Sequence, residues 1–258
     1  MARSASGESV LSRVVRIYEA FGSDEPALTM SELARRSDLP LATASRLVHE
    51  LIGYGWLRRT PDRRIRVGVR LWELTARAAP TLGLRAAAMP FMTDLHAVVG
   101  QHVQLGVLQD RDVLYIERLS APGAVPNQSH LAGRLPLHAA APGLVLLAHA
   151  PGELQRAVLC GPLRALTPHT LTEPAALRAA LCEVRRTGVA FCAGHVNEPA
   201  AAIAVPLRAG GGRIVAALSL IVPNDESART YVPAVRAAGH GISRALGFAP
   251  SADSALIQ

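Results

Sequence analysis

The tightest constraint on the fold lies in about forty residues near the N-terminus. Thr29-Met30-Ser31-Glu32 places an acid three positions after a hydroxyl residue. That is the capping-box signature of a helix start, and it predicts a helix over residues 30–37. Asp38-Leu39-Pro40 reads as a tight turn. Residues 41–53 return to helical periodicity, with Leu47, Val48, Leu51 and Ile52 on the core side. Upstream, Val10, Val14, Ile17 and Phe21 mark an amphipathic helix over residues 9–20, which Gly22-Ser23-Asp24-Glu25-Pro26 ends. Downstream, residues 56–60, 61–64 and 65–68 read as strand, turn and strand. Two helices across a three-residue turn, braced by a third and followed by a hairpin, make a winged helix-turn-helix.

Charge gives this motif its chemistry. The chain carries a net +7, and all 27 of its basic residues are arginine. Residues 1–80 hold 13 arginines and 9 acids, and residues 58–70 alone hold six arginines and one acid. Such a run is commonly a solvated face, but one so local and one-signed also suits a phosphate-contacting surface. Thr43, Ser45, Arg46 and His49 fall on the solvent face of the second helix of the motif, where small and hydroxyl side chains allow approach to base edges. Arg58, Arg59, Arg63, Arg64 and Arg66 lie in the hairpin, placed for phosphates or the minor groove. The expected partner is a double-stranded DNA operator. A helical hairpin with an ordinary charged surface is the alternative, and the hairpin arginines weigh against it.

The rest of the 258 residues alternates between the two periodicities. Helical spacing covers residues 69–79, 89–99, 142–150, 153–160, 174–187 and 227–246, and Pro80 and Gly83 mark a break read as a linker. Strand patterns cover residues 103–108, 113–119, 189–193, 201–207 and 214–222, with turns at 109–112 and 210–212. Short turns between strands predict a largely antiparallel α/β domain. No apolar run approaches the ~18–20 residues of a membrane helix, and the N-terminus lacks a signal-peptide core, so a cytoplasmic protein with no membrane partner is expected. The first ten and last eight residues are expected to fray. Cys160, Cys182 and Cys192 are too few and too scattered for a disulfide framework or a four-thiolate zinc site, and read as buried reduced thiols.

From about Ser9 to Gly247 the chain resembles the IclR family of bacterial transcription regulators. The matching text runs Leu28-Thr29-Met30-Ser31-Glu32-Leu33-Ala34-Arg35-Arg36, Asp38-Leu39-Pro40, Ser45-Arg46-Leu47 and Gly53-Tyr54-Gly55-Trp56-Leu57. It continues in Arg134-Leu135-Pro136-Leu137-His138-Ala139, Leu166-Thr167-Pro168-His169-Thr170, Glu183-Val184-Arg185-Arg186-Thr187-Gly188, Ile203-Ala204-Val205-Pro206-Leu207 and Ala216-Ala217-Leu218-Ser219-Leu220. The resemblance implies an α+β chain: a winged helix-turn-helix domain over residues 1–68, a linker helix over 69–83, and a GAF-like domain over 84–258 with a mainly antiparallel sheet. That last domain would bind effector and oligomerise. It further implies a ligand-responsive repressor, acting as a homodimer or dimer of dimers, that senses a small organic metabolite.

Carried over by the same resemblance, the effector pocket is lined by Leu137, Ala141, Pro142, Cys192, Ala202 and Ser219. Several positions depart from the family pattern toward lower polarity. Leu144 stands where members often have lysine, Cys192 and Ala193 where many have acids, Ala202 where some have cysteine, and Pro199 beside the retained Glu198 where glycine is common. They predict either a less acidic or more hydrophobic ligand, with His195, Asn197 and Ser219 as hydrogen-bonding groups, or a degenerate pocket. A C-terminal domain that only oligomerises is the alternative.

An enzyme is not expected. Cys192 and His195 are the nearest Cys-His pair, but no third partner, phosphate loop or nucleophile elbow accompanies them. His130, His138 and His195 match no metal-ligand spacing, so neither metal nor cofactor is expected.

Overall fold

The computed structural model describes residues 8–22, 25–78 and 81–249. The chain divides into two compact units, Met1–Pro80 and Thr81–Gln258.

The first unit runs α1 (Val10–Glu19), β1 (Ala27–Leu28), α2 (Met30–Arg36), α3 (Leu41–Gly53), β2 (Leu57–Arg59), β3 (Ile65–Val67) and α4 (Val69–Ala78). The capping box forms as expected: Glu32 N–H donates to Thr29 Oγ1 at 3.3 Å, and Thr29 N–H donates to Glu32 Oε2 at 2.8 Å. The turn holds Asp38 at φ +51°, and Leu39 N–H reaches back to the Ala34 carbonyl at 3.0 Å. Ile17, Leu33, Ala44, Leu47, Val48, Leu51, Leu57 and Ile65 form one small core, with Ile52 packed at its edge.

Two expectations change here. Glu8 and Ser9 take part in structure rather than fraying: the Ser9 side chain caps α1 by accepting the Ser12 N–H at 3.0 Å, and Glu8 meets Arg16 at 2.9 Å. Val10, expected on the buried stripe, is 55% exposed. The core is too short to reach the first turn of α1, so the stripe runs on past it. β1 was not anticipated; two residues carry too little pattern to read.

The second unit runs α5 (Thr81–Val99), β4 (His102–Gln109), β5 (Asp112–Leu119), β6 (Arg134–Pro136), α6 (Ala141–Ala148), α7 (Gly152–Leu159), α8 (Pro174–Thr187), β7 (Ala190–Ala193), β8 (Ala200–Arg208), β9 (Ile214–Pro223) and α9 (Val232–Ala245). Helix α5 begins eight residues before the expected one and includes Gly83 and Pro90. Gly83 is therefore no break. It lies in the first turn, where N–H groups have no internal partner, and the stripe Leu84, Ala88, Met92 and Leu95 keeps the helix buried through Pro90. The helix expected over 227–246 is a 3₁₀ turn at Ala228–Tyr231 followed by α9. The break expected at Pro80 and the fraying of residues 251–258 lie outside the described residues.

The strands form one sheet in the order β6-β5-β4-β9-β8-β7, and every pairing among the described residues is antiparallel. Helices cover both faces. Val103, Leu105, Leu218, Leu220, Ile203 and Val205 share one core with α5 and α9. The alternate residues, Ala204 and Ala217 among them, pack toward α6 and α8. Strand alternation therefore places Gln104, Ala202 and Ser219 on the α6 side.

The cysteines divide. Cys192 is buried in β7, but Cys160 and Cys182 are exposed. Cys160 is the C-cap of α7, and α8 turns Leu177, Leu181 and Val184 inward, which leaves Cys182 on its outer face.

Candidate nucleic-acid interface and effector pocket

Burial of Ala44, Leu47, Val48 and Leu51 fixes the rotation of α3. Ser45, Arg46 and His49 are consequently exposed and Thr43 is half-buried. The N-cap of α3 is Pro40, which provides no side-chain cap, so the first-turn N–H groups and the positive end of the helix dipole face outward beside them. Base reading by Arg46 has a direct test. Arg46→Ala is expected to cost about 1–3 kcal/mol of operator binding and to relax preference at one position per half-site. Binding titrations against single-base operator variants check this; a uniform loss across all sequences would reassign Arg46 to phosphate.

The hairpin is closed by Thr60 N–H to Arg64 O at 2.8 Å and Arg63 N–H to Thr60 O at 2.9 Å. Arg63 sits at its tip with φ +62°. Arg58 on β2 lies directly opposite Arg66 on β3. Like charges so placed repel, and an anion between them relieves the repulsion. Arg58, Arg59, Arg63 and Arg66 are exposed, and among the described residues none has a side-chain hydrogen bond or ion pair. Arg64 differs from the other hairpin arginines. It donates to the Ala27 carbonyl at 3.1 Å and lies 3.7 Å from Glu32 and 3.6 Å from Asp62. It fastens the hairpin to β1 and to the start of α2. The Glu32 carboxyl is held below its usual range, first by the Thr29 backbone N–H, then by the Thr29 hydroxyl.

A groove runs along the outside of this unit, lined by Val10, Leu11, Val14, Leu47, Leu51, Tyr54 and Trp56. Leu11 is 71% exposed and Tyr54 65%.

In the second unit, a cavity partly open to solvent lies between the α6 side of the sheet and the loop after β5. Ala141, Pro142, Cys192, Ala202 and Ser219 line it as expected, together with His195 and Asn197. Leu137 does not. It is 1% exposed and packs into the core, because the pleat of β6 ends at Pro136 and Leu135 is the residue that reaches the cavity. Sequence reasoning missed Gln104, Tyr115 and Asn127. Gln104 had one signal, a polar residue between Val103 and Leu105 in an otherwise apolar strand. Asn127 lies in a loop with no periodicity.

Among the described residues no arginine, aspartate or glutamate lines the cavity. Its polarity comes from neutral groups. Gln104 Oε1, Asn127 Nδ2, His195 Nδ1 and Ser219 Oγ are each buried without a hydrogen-bond partner. Such groups are costly to leave unmet, so bound water or a ligand has to meet them. Burial lowers the His195 pKa, with His169 adding to the effect, so the imidazole is neutral at pH 7. The loop over the cavity is tied down from several sides. Asn197 Nδ2 donates to Pro126 O at 2.7 Å, Val125 N–H donates to Gln101 Oε1 at 3.1 Å, and His102 Nε2 lies 2.6 Å from Val125 O. Opposite, Ala140 at the N-cap of α6 offers no side-chain cap.

Burial works against a nucleophilic role for Cys192. Burial pushes the Cys192 thiol up to about 12, so roughly one thiol in 10⁵ is ionised at pH 7. His138 is engaged elsewhere, at 3.0 Å from the Arg164 carbonyl. Among the described residues no group of three or more His, Cys, Asp or Glu is placed to hold a metal ion, and no helix is long and apolar enough to cross a membrane.

Comparison with known proteins matches both units. Residues 76–244 match the family model of the bacterial transcriptional regulator IclR C-terminal region, and residues 10–61 match that of the IclR helix-turn-helix domain. The chain is 29% identical over 242 residues to the HTH-type transcriptional regulator XynR of Escherichia coli strain K12, covering 92% of this chain and 96% of that protein. Among solved structures it is similar to an IclR homolog complexed with 4-hydroxybenzoate from Microbacterium hydrocarbonoxydans. The identity is 43% and the TM-score 0.89, covering 93% of this chain and 99% of that one. An IclR homolog from Microbacterium sp. strain HM58-2 is 40% identical with a TM-score of 0.62, covering 95% and 100%.

Proposed function

Because this chain belongs to the IclR family of bacterial transcriptional regulators, we propose that it is a repressor that holds its operator as a dimer or dimer of dimers and releases it on binding a small aromatic carboxylic acid. It is a transcriptional regulator with a helix-turn-helix DNA-binding domain and an IclR C-terminal domain. The observation that carries the effector half of the proposal is a cavity of the second unit that is apolar and, among the described residues, has no charged lining, yet is surrounded by four residues with buried polar atoms that have no partner there. The 4-hydroxybenzoate complex of the 43% identical homolog supports an aromatic acid of that size. The carboxylate is assigned to the uncapped start of α6, where Ala140 and Ala141 border the cavity and the helix dipole favours an anion.

In this proposal Thr43, Ser45, Arg46 and His49 meet the major groove, while Arg58, Arg59, Arg63 and Arg66 meet phosphates. Residues 1–68 read DNA, α4 couples the two functions, and residues 84–258 bind effector and oligomerise. The groove along α1 and α3 is assigned to a second copy of the chain, since two half-sites require two winged helices. Repression is the direction proposed because it requires nothing of the chain beyond occupying the operator.

The test is a titration of the full chain with benzoates, read by thermal shift and by release of an operator duplex selected from a random pool. At 100 times its dissociation constant the effector is expected to stabilise the fold by about 2.7 kcal/mol. It is also expected to weaken operator binding by about 5–150-fold. Absence of both responses across the benzoates would leave the second unit as an oligomerisation module.

A further inference from the structure

Two residues that line the cavity are joined through a third behind them in a relay whose hydrogen-bond directions are determined by the backbone. The starting point is Ser129, 3% exposed in the loop that covers the cavity. Its backbone N–H donates to Asn127 Oδ1 at 3.0 Å. A backbone N–H is a donor only, so the oxygen of the Asn127 amide must face it, and Nδ2 is the end turned away. The Ser129 hydroxyl also donates to Asn127 Oδ1, at 2.7 Å. With its one proton committed, Ser129 Oγ is left as an acceptor, and Gln104 Nε2 donates to it. The Gln104 amide is thereby oriented as well, with Oε1 as its free end.

The outcome is a pair of buried, unpartnered atoms of opposite character, carried by two side chains that line the cavity. Gln104 Oε1 accepts, and Asn127 Nδ2 donates. Gln104 is fully buried on β4, so its acceptor has no route to solvent. A carboxylate or an ether oxygen on the ligand satisfies the donor but leaves the acceptor unmet. A bare ring edge satisfies neither. A hydroxyl donates to Gln104 and accepts from Asn127. We propose that the Gln104–Ser129–Asn127 relay reads a hydroxyl group on the effector and selects phenolic acids over unsubstituted, methoxylated or dicarboxylic ones. This rests on the aromatic-acid reading of the cavity, and it assigns the discrimination to residues that make no charged contact.

Calorimetry on the full chain tests it, with 4-hydroxybenzoate, 3-hydroxybenzoate, benzoate, 4-methoxybenzoate and terephthalate as probes. At least one hydroxybenzoate is expected to bind roughly 10- to 100-fold more tightly than each of the other three, since a site built around a hydroxyl rejects ligands that leave its buried groups unpaired. Gln104→Leu is expected to close that gap to within a few-fold. Ser129→Ala keeps Gln104 but releases both amides, and is expected to narrow the gap as well; it decides the matter if Gln104→Leu does not fold. Benzoate and both hydroxybenzoates binding alike would overturn the relay while the aromatic-acid reading stands. So would a gap that survives either folded variant, or a Gln104→Leu that weakens every probe equally. If none of the five binds at millimolar concentration, the aromatic-acid reading falls, and the relay falls with it.

Discussion

Alanine at Arg58, Arg59, Arg63 and Arg66 together is expected to remove most of the salt dependence of operator binding. Each phosphate contact contributes about 0.9 to the log–log salt slope, so four contacts in each of two subunits give a slope of roughly −7. Raising salt from about 50 to about 200 mM then weakens the parent by roughly 10⁴-fold. The quadruple variant is expected to bind far more weakly at low salt, to lose little more as salt rises, and to lose alike for every sequence. Affinity measured across a salt series checks this, and an unchanged slope would show that the hairpin does not touch the backbone. Arg64→Ala is the internal control. Arg64 is tied to Ala27, Glu32 and Asp62, so its loss is expected to lower the melting temperature and leave the slope nearly intact.

Ala141→Trp is expected to abolish the effector response altogether. Ala141 is fully buried on the cavity wall at the first residue of α6, and an indole there fills the space an aromatic ligand would take. The parent is expected to gain about 2.7 kcal/mol at 100 times the dissociation constant. The variant is expected to gain nothing, while its effector-free operator affinity stays within a few-fold of the parent. A coupling of about 5–150-fold in the parent thus becomes none. A variant that still responds as the parent does would place the effector elsewhere. Ala202→Leu, which intrudes from β8 on the sheet side with a smaller side chain, is expected to give the same loss in milder form.

Much of the fold was readable because its determinants are local. The capping box joins Thr29 to Glu32, the turn reverses within Ser37 to Pro40, and the inward stripe of α3 repeats every three or four residues. Each of these is settled by side chains within a turn of one another, and local propensity there agrees with the final structure. The same holds for the hairpin of β4 and β5, where Asp110 and Arg111 separate two alternating strands. The reading failed where a local rule met a distant partner. Gly83 signals interruption, yet the buried stripe of α5 carries the helix through it and on through Pro90. Val10 continues an apolar stripe that the core of its unit is too small to cover.

Arginine identity and position along the chain determined that the first unit presents a dense positive hairpin beside an exposed helix face. They did not determine which arginine is free. Arg63 and Arg64 are neighbours, but one stands at a turn tip while the other reaches β1 and Glu32, a distinction made by packing between segments far apart in sequence. The cavity follows the same division. The family resemblance put Ala202 and Ser219 in the pocket, and strand alternation in the folded sheet turns both toward α6. The tertiary structure alone added Gln104 and Asn127 to the space that the family resemblance assigns to His195 and Ser219, and turned the Gln104 and Asn127 amides through Ser129. Hydrogen-bond direction depends on which donor faces which acceptor across the fold, and no spacing within one segment encodes that.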